Sequence, residues 1–182
     1  MRKFGLLVIT GLPATGKTTL ARYLAQQLAL PLIAKDTIKE PLLDVLGSDP
    51  ARGRALSDLA FSVMFALARE QLRTVTGLIL EGNFRAGEHE AALRTLLPTD
   101  LPITQVLCRA DEALRRARQA GRSSDPTRHP GHMDAQRLDR AAECDTFLEL
   151  PGERVLFNGD DRKDDLAALV ARLNGPGAAR IV

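Results

Sequence analysis

The stretch that most constrains the fold is residues 6–19, which read LLVITGLPATGKTT. Within it, residues 11–18 match the pattern G-x-x-x-x-G-K-[ST], in which a glycine-rich turn presents backbone N–H groups to phosphate oxygens. An apolar run of strand length precedes the turn, and apolar residues at helical spacing follow it. This order predicts a strand, a phosphate-binding loop and a helix whose positive N-terminal end faces the anion.

Individual loop positions have expected tasks. Gly11 allows the chain to leave the strand in a tight turn, and Gly16 allows backbone to approach an anion without an intervening side chain. Lys17 is expected to reach the β- and γ-phosphates of a nucleotide, and the Thr18 hydroxyl to ligate Mg²⁺. The alternative is an ordinary glycine-rich turn, which the flanking pattern disfavours. The residues expected to bind the nucleotide phosphates are Gly11, Leu12, Pro13, Ala14, Thr15, Gly16, Lys17, Thr18 and Thr19.

The composition is that of an ordinary globular chain. With 182 residues, of which 45% are apolar and 26% charged, we expect one domain spanning 1–182 with a sizeable core. A net charge of +2 indicates no particular partner. An aromatic content of 4% argues against binding single-stranded nucleic acid by base stacking.

The cysteines and the apolar runs bear on the cellular compartment. Cys108 and Cys144 do not have the spacing of a metal or redox motif, and Cys108 ends an apolar run, which predicts a buried thiol. Apolar runs are shorter than a membrane-spanning helix, and the first strand begins too early for a signal peptide to precede it. We therefore expect a cytoplasmic protein that does not bind membranes.

Strand and helix patterns alternate along the chain. Strands are predicted at 4–9, 31–34, 77–81, 103–108 and 154–158. Helices are predicted at 17–30, from about 36 to a loop at 47–50, and at 53–75, 88–97, 111–120, 134–144 and 166–173. This alternation predicts an α/β fold with a parallel sheet that is covered by helices on both faces.

Polar residues follow several of the predicted strands. Because ligands bind at the carboxyl ends of parallel strands, we expect these residues to share one site. They are Thr10, Lys35, Asp36, Glu81, Asn83, Arg109 and Asn158. Asp36 is the candidate general base for a hydroxyl nucleophile. The alternative is a helix cap, formed either by Asp36 or by Thr37 with Glu40.

The third strand and the second helix supply further candidates. Glu81 could hold a metal-bound water, orient the nucleophile or contact substrate, whereas the structural alternative is a pair with a nearby Lys or Arg. Asn83 and Arg85 are expected to contact substrate. Lys39, with Glu40, could face the same cleft, although its charge pattern favours a solvated face.

Arginines cluster in and after the predicted helix at 111–120. Arg115, Arg118 and Arg122 share one face by their spacing, and a guanidinium entering from a lid would stabilise the transferring phosphoryl group. Arg118 and Arg122 are the candidates for this catalytic role, and Arg118 also for nucleotide binding. A solvent-facing position is the alternative for each of them.

The loop at 121–133 and the end of the last strand complete the candidate set. Arg128, His129 and His132 are expected to contact phosphate or substrate as part of a lid. A zinc site at the two histidines is the weaker alternative, because no further ligands have a suitable spacing. Asn158 is expected to border the adenine, on position alone.

Together these segments resemble the small P-loop kinases, specifically an AAA-type group of phosphotransferases that act on hydroxyls. The resemblance lies in GLPATGKTT, AKDTIKE, LILEGNFR, CRADEALRRARQAGR and RHPGHMD. It implies a three-layer fold with strand order 2-3-1-4-5, a lid at about 118–134, and transfer of the γ-phosphate of ATP to an alcohol with Mg²⁺. It also implies that Asp36 is the base and that Glu81, Asn83 and Arg85 belong to the substrate loop. Relatives of this outline include gluconate kinases, chloramphenicol phosphotransferases, zeta-type toxins and polynucleotide 5′-kinases.

Three functions follow as hypotheses. The first is a small-molecule kinase, and the second, motivated by the arginine run, is a polynucleotide 5′-hydroxyl kinase. The third is an ATPase switch that acts on a protein partner. Arginines between the second and third strands are few, which disfavours a phosphorylated acceptor: they are Arg52, Arg54, Arg69 and Arg73. The acceptor, the oligomeric state and the choice of ATP or GTP stay open at this stage.

Overall fold

The computed structural model describes residues 5–47, 49–96, 102–123, 129, 145–159 and 163–174. Its strands are β1 (Gly5–Gly11), β2 (Leu32–Ala34), β3 (Gly77–Glu81), β4 (Ile103–Arg109) and β5 (Glu153–Asn158). Its helices are α1 (Lys17–Leu28), α2 (Lys35–Leu46), α3 (Gly53–Gln71), α4 (Glu90–Arg94), α5 (Glu112–Ser123) and α6 (Lys163–Asn174), with a 3₁₀ turn at Pro50–Arg52.

The five strands form one parallel sheet in the order β2-β3-β1-β4-β5. This arrangement confirms the predicted α/β fold and the strand order that the resemblance implies. The central strand β1 is buried along its whole length, which explains why its sequence is a continuous apolar run rather than an alternating one. Its carboxyl end opens directly into the glycine-rich loop.

The two faces of the sheet carry separate cores. Because side chains alternate along a strand, Leu6 and Val8 of β1 pack on one face and Leu7 and Ile9 on the other. The first face is covered mainly by α3, through Phe61 and its neighbours. The second face is covered by α1 and α6. The helices thus complete the three layers.

Several predicted boundaries need correction. The helix α2 begins at Lys35 with Ala34 in the cap position and no side-chain cap, so the interpretation of Asp36 as a helix cap is wrong. The helix α3 ends at Gln71 rather than 75, because the chain continues as turns in which the Thr74 hydroxyl bonds to the Gln71 carbonyl. The helix α4 is shorter than the predicted 88–97, since residues 86–88 form a turn.

Two sequence predictions fall partly or wholly outside the described residues. The predicted helix at 134–144 lies outside them, and so does most of the predicted lid at 118–134. Of the described helices, none combines the length and the apolar character that crossing a membrane requires.

Candidate active site

The loop between β1 and α1 has the backbone of an anion cradle. Ala14 and Gly16 both adopt positive φ angles, of 64° and 88°, and such turns direct successive N–H groups to one side. Gly16 occupies the cap position of α1, with no side-chain cap and no acidic residue in the first turn. The positive end of this 12-residue helix therefore faces the loop without a competing carboxylate from its own first turn.

Two glycines shape this cradle for different reasons. A Cβ at Gly11 would lie 2.2 Å from the Cys108 carbonyl oxygen, so a side chain there would force β1 away from β4. A Cβ at Gly16 would meet no atom within 4 Å, so it would project into open space in the loop. The Cys108 side chain is buried as predicted, and burial raises the pKa of its thiol to about 12. A thiol with this pKa is not a nucleophile at neutral pH.

Lys17 and Thr15 are folded onto the loop itself. The Lys17 Nζ donates a 2.6 Å hydrogen bond to the Leu12 carbonyl, and the Thr15 hydroxyl donates to the same oxygen at 2.9 Å. Lys17 is buried. Its ammonium group therefore lies within the loop that is shaped for phosphate.

Glu81 ends β3 beside this loop and is 4% exposed. Its Oε2 accepts a 3.3 Å hydrogen bond from the Thr18 hydroxyl. Burial raises the pKa of the Glu81 carboxyl, and Asp36 acts in the same direction, whereas the charges of Lys17 and Lys35 and the Thr18 hydrogen bond oppose the rise. A hydroxyl and a carboxylate in contact are the oxygen donors that Mg²⁺ prefers, so this pair fits such an ion.

Asp36 lies in the first turn of α2, beside the loop that follows β3. The Lys35 Nζ lies 3.7 Å from its Oδ1 and donates a 3.1 Å hydrogen bond to the Asn83 side chain. The Lys35 side chain is 3% exposed, whereas that of Asp36 is 48% exposed. The structure thus brings Asp36, Asn83 and Glu81 together at one edge of the sheet, as the sequence predicts.

Lys39 is 1% exposed, so the predicted solvated face is wrong for this residue. It shares a buried stripe of α2 with Lys35 and Leu43, which lie four residues to either side of it. This stripe is buried because α2 packs against α3. The charge of Lys39 is therefore placed inside the protein by the rotation of α2, which a local charge pattern does not reveal.

Arg85 is 8% exposed and is held by two carboxylates. Its Nη2 donates to Asp58 at 2.7 Å and its Nε to Glu88 at 2.5 Å. Arg54 contacts both carboxylates as well, with its Nε 3.2 Å from Asp58 and its Nη2 2.7 Å from Glu88. We call these four residues the ion-pair ring. Burial raises the pKa of Asp58 and of Glu88, but the arginine hydrogen bonds and charges outweigh it and hold both values below their usual range.

His89 is joined to the ion-pair ring by a hydrogen bond to Arg85 and is 6% exposed. Its ring centroid is 4.1 Å from that of Phe61, and its Nδ1 accepts a 2.8 Å hydrogen bond from the Arg85 backbone N–H. Burial, together with the charge of Arg85, lowers the pKa of His89 to about 4. The imidazole is therefore neutral at pH 7. Asp58, Glu88 and His89 were missed by the sequence analysis, which had only the Arg54–Asp58 and Arg85–Glu88 spacings as signals.

A cavity of about 340 Å³ borders the glycine-rich loop at Ala14 and Gly16. Arg118 and Arg122 of α5 line it with Tyr23 of α1 and with Phe157 and Gly159. The Arg118 Nη2 also donates to the Gly159 carbonyl at 3.2 Å. Asn158 is exposed and its neighbour Gly159 lines the cavity instead. The two candidate arginines are thus placed beside the loop.

Other candidates are paired with carboxylates or lie outside the described residues. The His129 Nε2 is 2.9 Å from Asp44 near the end of α2, and Arg109 pairs with Asp145. Arg128 and His132 are outside the described residues. Within the described part of the chain, no three His, Cys, Asp or Glu side chains cluster as they would around a metal ion.

Comparisons with known proteins show the family and the fold of the chain. Residues 6–144 match the family described as AAA domain. No curated protein matches the chain. An inferred kinase from Chloroflexus aurantiacus is 31% identical, with a TM-score of 0.82 over 95% of this chain and 98% of that one.

Two solved kinases share the fold at lower identity. An APS kinase from Mycobacterium tuberculosis, solved with AMPPNP and APS, is 18% identical, with a TM-score of 0.60 over 96% of this chain and 99% of that one. A shikimate kinase from Bacteroides thetaiotaomicron is 20% identical, with a TM-score of 0.58 over 93% of this chain and 96% of that one. The chain therefore belongs to the AAA domain family and has the fold of the small P-loop kinases.

Proposed function

We propose that this protein is an ATP-dependent phosphotransferase that moves the γ-phosphate of ATP to a hydroxyl of a small molecule. The observation that carries this proposal is the chain of contacts around the loop. Thr18 contacts Glu81, and Lys35 contacts both Asn83 and Asp36, so a solvent-accessible carboxylate stands at the same sheet edge as the phosphate cradle. The fold shared with kinases supports phosphoryl transfer in general.

The nucleotide would occupy the loop and the adjoining cavity. Backbone N–H groups of residues 11–19, apart from Pro13, which has none, and the Lys17 ammonium would bind the β- and γ-phosphates. The nucleoside would enter the cavity lined by Tyr23 and Phe157, with Asn158 at its border. Arg118 and Arg122 line that cavity and would stabilise charge on the phosphates.

The Thr18 hydroxyl and the Glu81 carboxylate would hold Mg²⁺. When bound, this ion neutralises charge on the phosphate oxygens of ATP. The family supports the use of ATP, and usually of Mg²⁺. The buried position of Glu81 keeps this carboxylate in one orientation against the first turn of α1.

Asp36 would act as the general base. Its carboxylate accepts the proton of the acceptor hydroxyl while the hydroxyl oxygen forms a bond to the γ-phosphorus and the bond from that phosphorus to ADP breaks. Lys35 holds Asp36 in position from one side, and Asn83 is tied to the same lysine. Arg85, Arg128, His129 and His132 are proposed as acceptor contacts, whereas Lys39, which is 1% exposed, is not.

The arginines of α5 bear on the polynucleotide alternative. That hypothesis needs guanidinium groups facing a nucleic acid, but Arg118 and Arg122 line the cavity and Arg115 is 8% exposed. Among the described arginines of this segment, the exposed Arg109 and Arg116 are each paired with a carboxylate of the protein, Asp145 and Glu112. The small-molecule hypothesis is therefore the one that we retain.

The experiment is phosphoryl transfer from γ-labelled ATP with Mg²⁺ to pooled acceptors. The pools are sugars and sugar acids, nucleosides, hydroxylated antibiotics and a 5′-hydroxyl oligonucleotide, and Lys17→Ala is the control. Label that moves to a small-molecule pool with the wild type, and not with the variant, supports the proposal. Label that moves to the oligonucleotide, or appears as free phosphate alone, contradicts it.

A further inference from the structure

The ion-pair ring lies where the acceptor is expected to bind. Asn83 contacts Lys35 beside Asp36, and the Phe84 carbonyl accepts a 3.5 Å hydrogen bond from Thr10 at the end of β1. Arg85 is the next residue in the chain. The ring therefore begins immediately beyond the candidate base and the phosphate loop.

An arginine binds a phosphate or carboxylate through two parallel N–H groups, either on its Nε–Nη2 edge or on its Nη1–Nη2 edge, and both edges use Nη2. In Arg85 the Nε–Nη2 edge is divided between two different carboxylates, Glu88 and Asp58. An oxyanion that used this edge would have to displace one of them. Each is also held by Arg54, so a second guanidinium group keeps each carboxylate beside Arg85 and opposes its displacement.

The ring is also electrically balanced. It contains two guanidinium groups and two carboxylates, and the low pKa values of Asp58 and Glu88 keep both carboxylates ionised at neutral pH. A further anion brought to Arg85 would meet two negative charges that already lie at hydrogen-bond distance from the same cation. An uncharged hydroxyl would meet no such repulsion.

The nearby lysines do not reverse this balance. The Lys35 ammonium is engaged by Asp36 and Asn83, and the carboxylate of Glu81 lies close enough for its pKa to respond to Lys35. Lys39 is 1% exposed, so an acceptor in the cleft does not reach it in this conformation. Among the described residues, the charges on the acceptor side thus compensate one another before any acceptor binds.

We propose that the acceptor is an uncharged hydroxyl compound, and that Asp58 and Glu88 are specificity-determining residues that exclude phosphorylated and carboxylated acceptors by occupying Arg85. This inference rests on the proposed function, because it concerns the acceptor of the same reaction. It assigns Asp58 and Glu88 a positioning role through Arg85 rather than a catalytic one.

The first experiment measures anion binding without turnover. Inorganic sulfate is titrated calorimetrically at constant ionic strength into protein saturated with Mg²⁺ and AMPPNP, so that the phosphate loop is already filled. We expect the double variant Asp58→Asn, Glu88→Gln to bind sulfate at least about tenfold more tightly than the wild type. The triple variant that also carries Arg85→Gln should lose this gain in affinity. Glu70→Gln is the matched control and should bind sulfate as the wild type does, because it removes an exposed carboxylate from α3, the helix that carries Asp58.

Two results would overturn the inference. One is wild-type protein that binds sulfate at submillimolar concentration and loses this binding in Arg85→Gln, since Arg85 would then accept an anion despite the ring. The other is a folded double variant that gains no sulfate affinity. The comparison of wild type with Arg85→Gln decides the question even where the double variant does not fold.

The second experiment uses acceptors that are matched except for charge. Glucose, gluconate and glucose 6-phosphate form one set, and a nucleoside and its monophosphate another. We expect the uncharged member of the preferred set to have a kcat/KM at least about tenfold higher than its charged counterparts. A preference for a charged member overturns the inference but leaves the kinase function intact. A lack of transfer to any acceptor counts against the proposed function, and the sulfate experiment then decides the role of Arg85.

Discussion

The Thr18 hydroxyl donates a 3.3 Å hydrogen bond to Glu81 Oε2, which joins the first turn of α1 to the end of β3. The two residues are 63 positions apart, and the parallel pairing of β3 with β1 brings them together. In that pairing, Glu81 lies opposite Ile9, two residues before the glycine-rich loop begins. The strand order therefore determines which carboxylate stands beside the phosphate cradle.

Glu81→Gln should separate activity from stability. The amide keeps an acceptor for the Thr18 hydroxyl but removes the negative charge, so we expect kcat for phosphoryl transfer to fall roughly 10- to 100-fold. Because burial raises the pKa of Glu81, replacing this carboxyl should leave Tm unchanged or raise it. Steady-state kinetics across a Mg²⁺ titration and a thermal melt measure both effects. Glu153→Gln, at the opposite end of the sheet, is the control, and equal activity in the two variants would remove Glu81 from the mechanism.

Asp36→Asn tests the general base. We expect kcat to fall about 10²- to 10⁴-fold because the amide cannot accept a proton. Stability should change little, since the side chain is 48% exposed and does not cap α2. Asp49→Asn is a control of matched exposure, at 49%, and should keep full activity. Single-turnover transfer from labelled ATP gives the readout, and an active Asp36→Asn protein would show that another group takes the proton.

Gly11→Ala should mainly lower the stability of the protein, whereas Gly16→Ala should mainly lower its affinity for nucleotide. At Gly11 the added methyl group would lie 2.2 Å from a carbonyl oxygen at a φ of 138°, so we expect a loss of roughly 3 kcal/mol of stability. At Gly16 the methyl group meets no atom, so the loss should be about 1–2 kcal/mol, from the backbone angle alone. The Gly16 variant should instead lose AMPPNP affinity. Urea unfolding and calorimetry distinguish the two, and equal unfolding free energies would contradict this prediction.

Arg118→Ala should weaken nucleotide binding. Arg118 lines the cavity beside the loop and bonds to the Gly159 carbonyl, so its loss removes both charge and one wall of the cavity. We expect KM for ATP to rise about tenfold, which corresponds to one charge-assisted contact. Arg116→Ala removes an exposed arginine two residues away, paired with Glu112, and should leave KM unchanged. The same KM in both variants would mean that Arg118 does not contact the nucleotide.

His89 should make stability depend on pH below neutrality. Its pKa is about 4 in the folded protein, against 6.5 when unfolded, so the unfolded chain binds more protons between these values. The contribution of His89 to the free energy of unfolding is complete above pH 6.5. It falls on acidification, by roughly 2 kcal/mol between pH 7 and pH 5. His89→Asn keeps an acceptor for the Arg85 N–H without titrating. Urea unfolding at both pH values should show a smaller loss in the variant, and identical losses would contradict the buried neutral imidazole.

Local patterns predicted much of the fold and part of the site. The predicted strand at 77–81 agrees with β3 to the residue, because an apolar run bounded by Gly77 and Glu81 indicates clearly where the strand begins and ends. The helix boundaries were less accurate, since α3 and α4 end in turns that depend on particular hydrogen bonds. Asp36 and Asn83 were placed correctly at one edge because parallel strands share their carboxyl ends.

By itself, the sequence determined the glycine-rich loop and the alternation of strands and helices, because both depend on residues that are close together along the chain. Only the tertiary structure decided that Arg85 is held by Asp58 and Glu88, that Lys39 is buried, and which residues line the cavity. These features depend on how each helix is rotated about its axis and on which helices lie side by side. Packing across the whole core sets those angles, and no short segment encodes them.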